Sequence, residues 1–181
     1  MKITVTKHTT LEDARRALAT TVGKEFQSTA TLDQIYTWMH SPIRTQIFEV
    51  FLEDIPTFVS VHLVRHVTIV PFVTGYRADR GGNGTEDRNS PVDMRFWANA
   101  EALLNMARKR LCYKASKETK EIMGHICSEI YSIDPDLAAH MVPNCVAQGG
   151  YCREPKPCGN YKVKRYDPVE IWDSITKQTG E

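Results

Sequence analysis

A chain of 181 residues, 41% hydrophobic and 25% charged, has the size and composition of one self-sufficient globular domain. Its formal net charge of +1 supplies no general attraction to nucleic acid or an anionic membrane, and no run approaches the roughly 18 apolar residues of a membrane span. The opening stretch Met1-Lys2-Ile3-Thr4-Val5-Thr6 alternates like a strand and does not read as a secretion signal, so the expected compartment is the cytoplasm. Five cysteines, an odd number, are then expected to be reduced, buried or metal-bound rather than paired as disulfides.

Lys2 to Thr6 reads as a strand with Ile3 and Val5 on one face. Thr10 caps a helix reaching about residue 21, with Glu12 and Asp13 in its first turn and Gly23 at its end. Leu32, Ile35, Trp38 and Met39 have helical spacing, opened by Thr31 or Asp33 and stopped by Ser41-Pro42. Gln46 to Glu53 alternates as a strand, with Phe48, Val50 and Leu52 on one face and Ile47, Glu49, Phe51 and Glu53 on the other. Pro56 suits the first turn of a helix running to about Arg65. Residues 78–91 form a polar, glycine-rich loop without the Lys-Ser/Thr ending of a P-loop; a loop of this length is often functional.

Val92 to Trp97 reads as a strand with Val92, Met94 and Phe96 on one side. A helix opened by Asn99 or its neighbour runs to about Leu111. Ser116 caps another, whose Ile122, Ile126, Ile130 and Ile133 make a core stripe, and Asp134-Pro135 stops it. Short segments, three cysteines and a polar tail follow. The mixture predicts an α+β domain over 1–181, a mixed or antiparallel sheet packed with several helices, with a cysteine-rich segment at about 143–160.

Two stretches carry chemistry. In Phe58-Val-Ser-Val-His62-Leu-Val-Arg65-His66 an apolar run that wants burial ends in an Arg-His pair. Arginine offers a planar fork of donors suited to phosphate or carboxylate, and histidine titrates near neutrality. The plain alternative is a buried element with a solvated end. Together with Arg77, the pair resembles the Arg-His-Arg…Ser-x-Arg signature of flavin-dependent thymidylate synthases, the ThyX family. Val67 stands where that signature has its second Arg, Phe72 where an Asn is usual and Gly75 where the Ser stands. The helix Asn99-Ala-Glu-Ala-Leu-Leu-Asn105-Met-Ala-Arg-Lys-Arg110 resembles the family's second conserved stretch at Asn99, Asn105 and Arg110. The two stretches cover about a third of the chain, which looks like a shortened, divergent member of the kind found in bacteriophages, then acting in the host cytoplasm.

The resemblance implies a ThyX-like fold, a homotetramer and the FAD-dependent methylation of dUMP to dTMP. Methylenetetrahydrofolate would supply the carbon and NADPH the reducing equivalents. It implies Arg110 as the catalytic residue. Arg77, Arg110 and His62 are implied at the nucleotide, and Arg65, His66, Asn99 and Asn105 at FAD. A different C5 product, such as hydroxymethyl, or another pyrimidine stays open. At about 100° per residue, Asn99 and Arg110 lie within roughly 20° of each other, whereas Asn105 is about 140° from Arg110. One face of that helix therefore cannot present all three to one ligand.

Cys145, Cys152 and Cys158 lie in a Gly/Pro-rich segment, and Cys112 follows the Arg110 helix. Four thiols converging from several directions suit a tetrahedral structural zinc, although the paired Cys-x2-Cys spacing of strong zinc signatures is missing. Cys127 falls in the isoleucine stripe and reads as packing. The competing function is a non-catalytic, zinc-stabilised module that touches nucleic acid through Arg108, Lys109, Arg110, Lys114, Lys117 and Lys120. Glu118 and Glu121 interrupt that run, as on an ordinary solvated helix face.

Overall fold

The computed structural model describes residues 1–23, 27–82, 87–162 and 164–165, the last by its backbone. Four strands, β1 (Lys2–Lys7), β2 (Ile47–Pro56), β3 (Val70–Val73) and β4 (Pro91–Asn99), form an antiparallel sheet in the order β1-β2-β4-β3. Seven helices accompany it among the described residues: α1 (Leu11–Val22), α2 (Leu32–Trp38), α3 (Thr57–Val64), α4 (Ala100–Arg110), α5 (Lys117–Ile133), α6 (Pro135–His140) and α7 (Asn144–Ala147). A pair of two-residue strands, β5 (Tyr151–Cys152) and β6 (Lys164–Arg165), runs parallel beyond them. The architecture is α+β, as the composition of elements predicts.

Strand alternation sets the two faces of the sheet. In β2 and β4 the register pairs Phe48 with Ala98, Val50 with Phe96 and Leu52 with Met94, and all six are buried. Helix α4 packs against β4, and α5 against β1. Their buried faces, Leu103, Leu104, Met106 and Ala107 on α4 and Ile122, Met123, Ile126 and Ile130 on α5, complete one core. The opposite face carries Glu49, paired with Arg95, whose guanidinium lies 4.2 Å from the Phe51 ring centre. Trp97 meets Phe72 of β3 edge to face at 5.8 Å.

Asp134 ties the helical layer to the sheet. It closes α5 and caps α6, accepting from the Leu137 N–H at 3.0 Å, from Lys7 Nζ of β1 at 2.6 Å and from the buried Tyr36 hydroxyl of α2 at 2.6 Å. Burial, and then the carboxylate beside it, push the Tyr36 phenol far up. The polar loop also has a structural duty. The carbonyls of Ser90 and Arg88 accept from the Thr57 and Phe58 N–H groups at 3.0 and 3.1 Å, satisfying the first orphan donors of α3. Gly82 presses against the Tyr76–Arg77 backbone, where any Cβ would collide. Residues 83–86 of the expected loop, and most of the polar tail, lie outside the described residues.

Two expectations need correction. Ile133 is not part of the core stripe: it is the last residue of α5, 42% exposed, beyond the helix and strand that cover Ile122, Ile126 and Ile130. Strand β3 has no counterpart among the expected elements. Val70-Pro71-Phe72-Val73 does not alternate, because both faces of this edge strand are largely exposed and its partner β4 alone defines it.

Candidate active site

The site grows from the ends of two helices. Helix α3 stops at Val64, leaving Arg65 at its C-cap and His66 in the turn that follows, where its N–H donates to the Leu63 carbonyl at 3.0 Å. Helix α4 starts at Asn99, whose Oδ1 accepts from the Ala102 N–H at 2.8 Å, and ends in Arg108-Lys109-Arg110. Three cations in the last turn suit the negative end of the helix dipole. Arg110 spans the gap between the helices: its Nε donates to His66 Nε2 at 3.0 Å and its Nη2 donates to the His62 carbonyl.

That contact defines the protonation state of His66. An imidazole that accepts at Nε2 is neutral and carries its proton on Nδ1. Burial, then the charges of Arg110 and Lys109, push the ring down to about 4, well below its ordinary 6.5. Burial and the neighbouring Arg65 lower Arg110 as well. His62 is lowered first by burial and then by Arg110, Arg65 and Arg88. In all three, burial is the first cause, and the charges of the neighbouring cationic side chains act in the same direction.

A cavity of about 500 Å³ opens at this corner. Arg65, His66, Asn105, Arg108 and Lys109 form one wall, and Asn144, Gln148 and Arg153 of the C-terminal segment form the other. No carboxylate lines it among the described residues. Arg108 donates to Asn105 Oδ1 at 3.4 Å and approaches Met39 Sδ at 3.8 Å, while its buried Nε–H has no partner among the described residues. Burial lowers Arg108, with Glu101 opposing. Across the cavity Arg153 Nε donates to Gln148 Oε1 at 3.0 Å.

Other anticipated residues stand elsewhere. His62 lines neither this cavity nor the cysteine-lined one described next: its Nδ1 is 2.9 Å from Thr119 Oγ1 and its ring meets Phe58 edge to face, so it joins α3 to α5. Arg77 bonds Asp79 at 3.0 and 2.6 Å, both side chains exposed, and is not brought to Arg110 within this chain. Asn99 is the cap of α4, roughly 16 Å from Arg110 along the helix axis. The expected separation of Asn105 from Arg110 is observed, for Asn105 lines the 500 Å³ cavity and Arg110 the neighbouring one.

That neighbouring cavity, about 360 Å³, collects Cys112, Cys145, Cys152 and Cys158. All are free thiols, and among the described residues no three histidine, cysteine or acidic side chains are already arranged to hold a metal ion. Burial raises Cys145, and the nearby Cys152 and Cys112 add to the effect; hydrogen bonding from the Asn160 backbone lowers Cys158. Cys127 stands apart against the core, its thiol pushed up to about 11 by burial. The remaining basic residues are locally engaged: Lys114 with Glu154 at 3.6 Å, Lys117 with Glu121 at 3.9 Å, and Lys120 over the Tyr113 ring at 4.5 Å.

In the sequence, Arg108 and Lys109 stand out only as part of a basic run, a nucleic-acid contact or a solvated helix face, and nothing marks Asn144, Gln148 and Arg153. The first two were detectable from their place in the last turn of a helix that ends at a candidate arginine. The other three carry no local signal, because tertiary folding alone brings them opposite α4.

No protein-family model matches the chain, and no curated protein matches it significantly. Solved structures do. A flavin-dependent thymidylate synthase ThyX from Helicobacter pylori, complexed with FAD and dUMP, superposes with a TM-score of 0.64 at 12% identity, over 78% of this chain and 100% of that one. A second structure of Helicobacter pylori ThyX with FAD and dUMP gives 0.61 at 14% identity, over 76% and 99%. A UMP/dUMP methylase, PolB from Streptomyces cacaoi, bound with 5-Br dUMP, gives 0.60 at 11% identity, over 77% and 94%. The chain has the ThyX-like α+β fold. No helix among the described residues is long and apolar enough to cross a membrane.

Proposed function

We propose that this chain is a flavoenzyme of the thymidylate synthase type, converting dUMP to dTMP with methylenetetrahydrofolate and NADPH. The observation that carries this reading is the 500 Å³ cavity at the Arg65-His66 and α4 stretches, lined by arginine, lysine, amides and a neutral histidine, with no carboxylate. Such a lining suits a phosphorylated ligand. The ThyX-like fold, shared with proteins solved with FAD and dUMP or with 5-Br dUMP, narrows the phosphorylated ligand to that class.

The reaction replaces the C5 proton of uracil by a methyl group whose carbon arrives at the formaldehyde level, so two electrons must be supplied. FAD, when bound, relays those electrons from NADPH. The residues suit its pyrophosphate: Arg65, Arg108 and Lys109 are cationic donors, with Asn105 adding an amide. His66, held neutral by Arg110, keeps its Nδ1–H as a donor. Arg110 organises the site from outside this cavity, as the group that sets the His66 tautomer. Val67, Phe72 and Gly75 remove a cation, an amide and a hydroxyl of the signature. Val67 is 92% exposed, and a Cβ at Gly75 would meet nothing within 4 Å, so neither is demanded by packing.

A homo-oligomer completes the reading. Val61, Val64, Val67, Val70 and Phe72 expose an apolar patch on α3 and the β3 edge, next to Arg65. A neighbouring copy seated there would cover these side chains and stand next to Arg65. The test is the visible absorbance of the purified protein with and without FAD, followed by dUMP titration. Bound flavin whose spectrum shifts with dUMP is expected; a protein that binds no flavin at any concentration overturns the assignment.

A further inference from the structure

We propose that Cys112, Cys145, Cys152 and Cys158 close on one zinc ion as a tetrathiolate centre, which fastens the C-terminal segment to the end of α4 and so sets the second wall of the cation-lined cavity. The four thiols come from four different backbone settings: the turn after α4, the first turns of α7, strand β5 and the turn at 157–160. All four line the same 360 Å³ cavity, whereas Cys127 does not. Convergence from several directions is what a tetrahedral ion requires.

The backbone turns sharply between two of the thiols. Gly149 and Gly150 have φ of 64° and 95°, the left-handed region that favours glycine, and the Gly150 N–H donates to the Cys145 carbonyl at 2.9 Å. The resulting turn brings Cys152 back to Cys145. Both are buried, and they are the only buried residues described between 144 and 162. Among the described residues, this segment has a four-residue helix, two-residue strands and, from 144 to 162, two thiols as its buried side chains, and small units without an apolar core rely on a metal. The thiols must turn inward to reach an ion, since no three are yet arranged to hold one. Zinc with four thiolates carries a net double negative charge, and Arg108, Lys109, Arg110 and Lys114 around the cavity offset it.

The consequence for function is positional. Cys145 lies one residue from Asn144, and Cys152 one residue from Arg153, so the same ion that orders the thiols orders the second wall of the nucleotide-site candidate. The experiment reads metal directly and needs neither flavin nor nucleotide, so its failure is separate from failure of the proposed reaction. Full-length protein purified under reducing conditions is analysed for metals, then stripped and titrated with cobalt. We expect about one zinc per chain and a thiolate-to-cobalt charge-transfer band. Cys145→Ser and Cys152→Ser should lose most of the metal, and Cys127→Ser none. Should the ligand variants fail to fold, thiol counting on the unaltered protein decides: a chelator should expose four further reactive thiols. Metal-free protein with no charge-transfer band, an unchanged thiol count, or equal loss in Cys127→Ser overturns the proposal.

Discussion

The two walls of the cation-lined cavity are built by different physics. Arg65 and His66 follow α3, and Asn105, Arg108 and Lys109 stand on α4; both helices pack their other faces into the core, for Val59 and Leu63 on α3, and Leu103, Leu104, Met106 and Ala107 on α4, are all fully buried. Asn144, Gln148 and Arg153 stand on a segment in which two thiols are the buried side chains among the described residues after Pro143. The first wall is placed by dispersion and hydrophobic burial, the second by turns and, under the proposed zinc centre, by the ion. A site assembled in this way keeps half of its contacts when the weaker half is released, which makes the comparison testable.

The largest effects belong to the packed side. Phe96→Ala, in the middle of the sheet, should cost about 3–5 kcal/mol in a urea titration. Asp134→Ala should cost a similar amount, about 3–5 kcal/mol, because it strands the Lys7 ammonium and the buried Tyr36 hydroxyl together. Removing metal by chelation should act locally instead. Hydrogen exchange should rise over 143–165 while β2, β4 and α4 keep their protection. A global collapse on chelation would show that the two walls are one cooperative unit.

Smaller effects sharpen the comparison at α4. Arg110→Ala removes the donor that spans α3 and α4, and should weaken FAD or dUMP binding by at least about tenfold, or about 1.4 kcal/mol, by calorimetry. Asn99→Ala acts at the other end as loss of a cap, about 1 kcal/mol of stability in the ligand-free protein. A separate effect is the pH dependence of His66. Its folded value is about 4 against about 6.5 unfolded. Above pH 6.5 neither state is protonated, so the ring contributes no slope. As pH falls from 6.5 toward 4 the unfolded chain takes up a proton that the folded chain refuses, and stability declines. His66→Gln keeps an acceptor for Arg110 and should flatten that part of the denaturation profile; an unchanged slope would place the titration elsewhere.

Local pattern was enough for most of the scaffold. Period-two alternation identified the buried faces of β2 and β4, and caps such as Thr10, Thr31 and Asn99 marked where helices begin, because these preferences act within a few residues. Strand β3 escaped because an edge strand with two exposed faces has no alternation to read. In the site, the candidate residues Arg65, His66, Asn105, Arg110 and the four cysteines were legible as residue types suited to anions and metal. Their grouping was not. Helical geometry shows that Asn99 and Arg110 share a face, yet axial distance separates them, and only packing shows that Asn99 spends its amide on its own helix. The Arg110–His66 contact spans 44 residues, and the opposite wall of the cavity lies beyond residue 143. A chain encodes its local geometry in short-range sterics and hydrogen bonding, so that much can be read from the residues alone. The electropositive corner exists only where α3, α4 and the C-terminal segment meet, because its charges interact through space rather than along the chain.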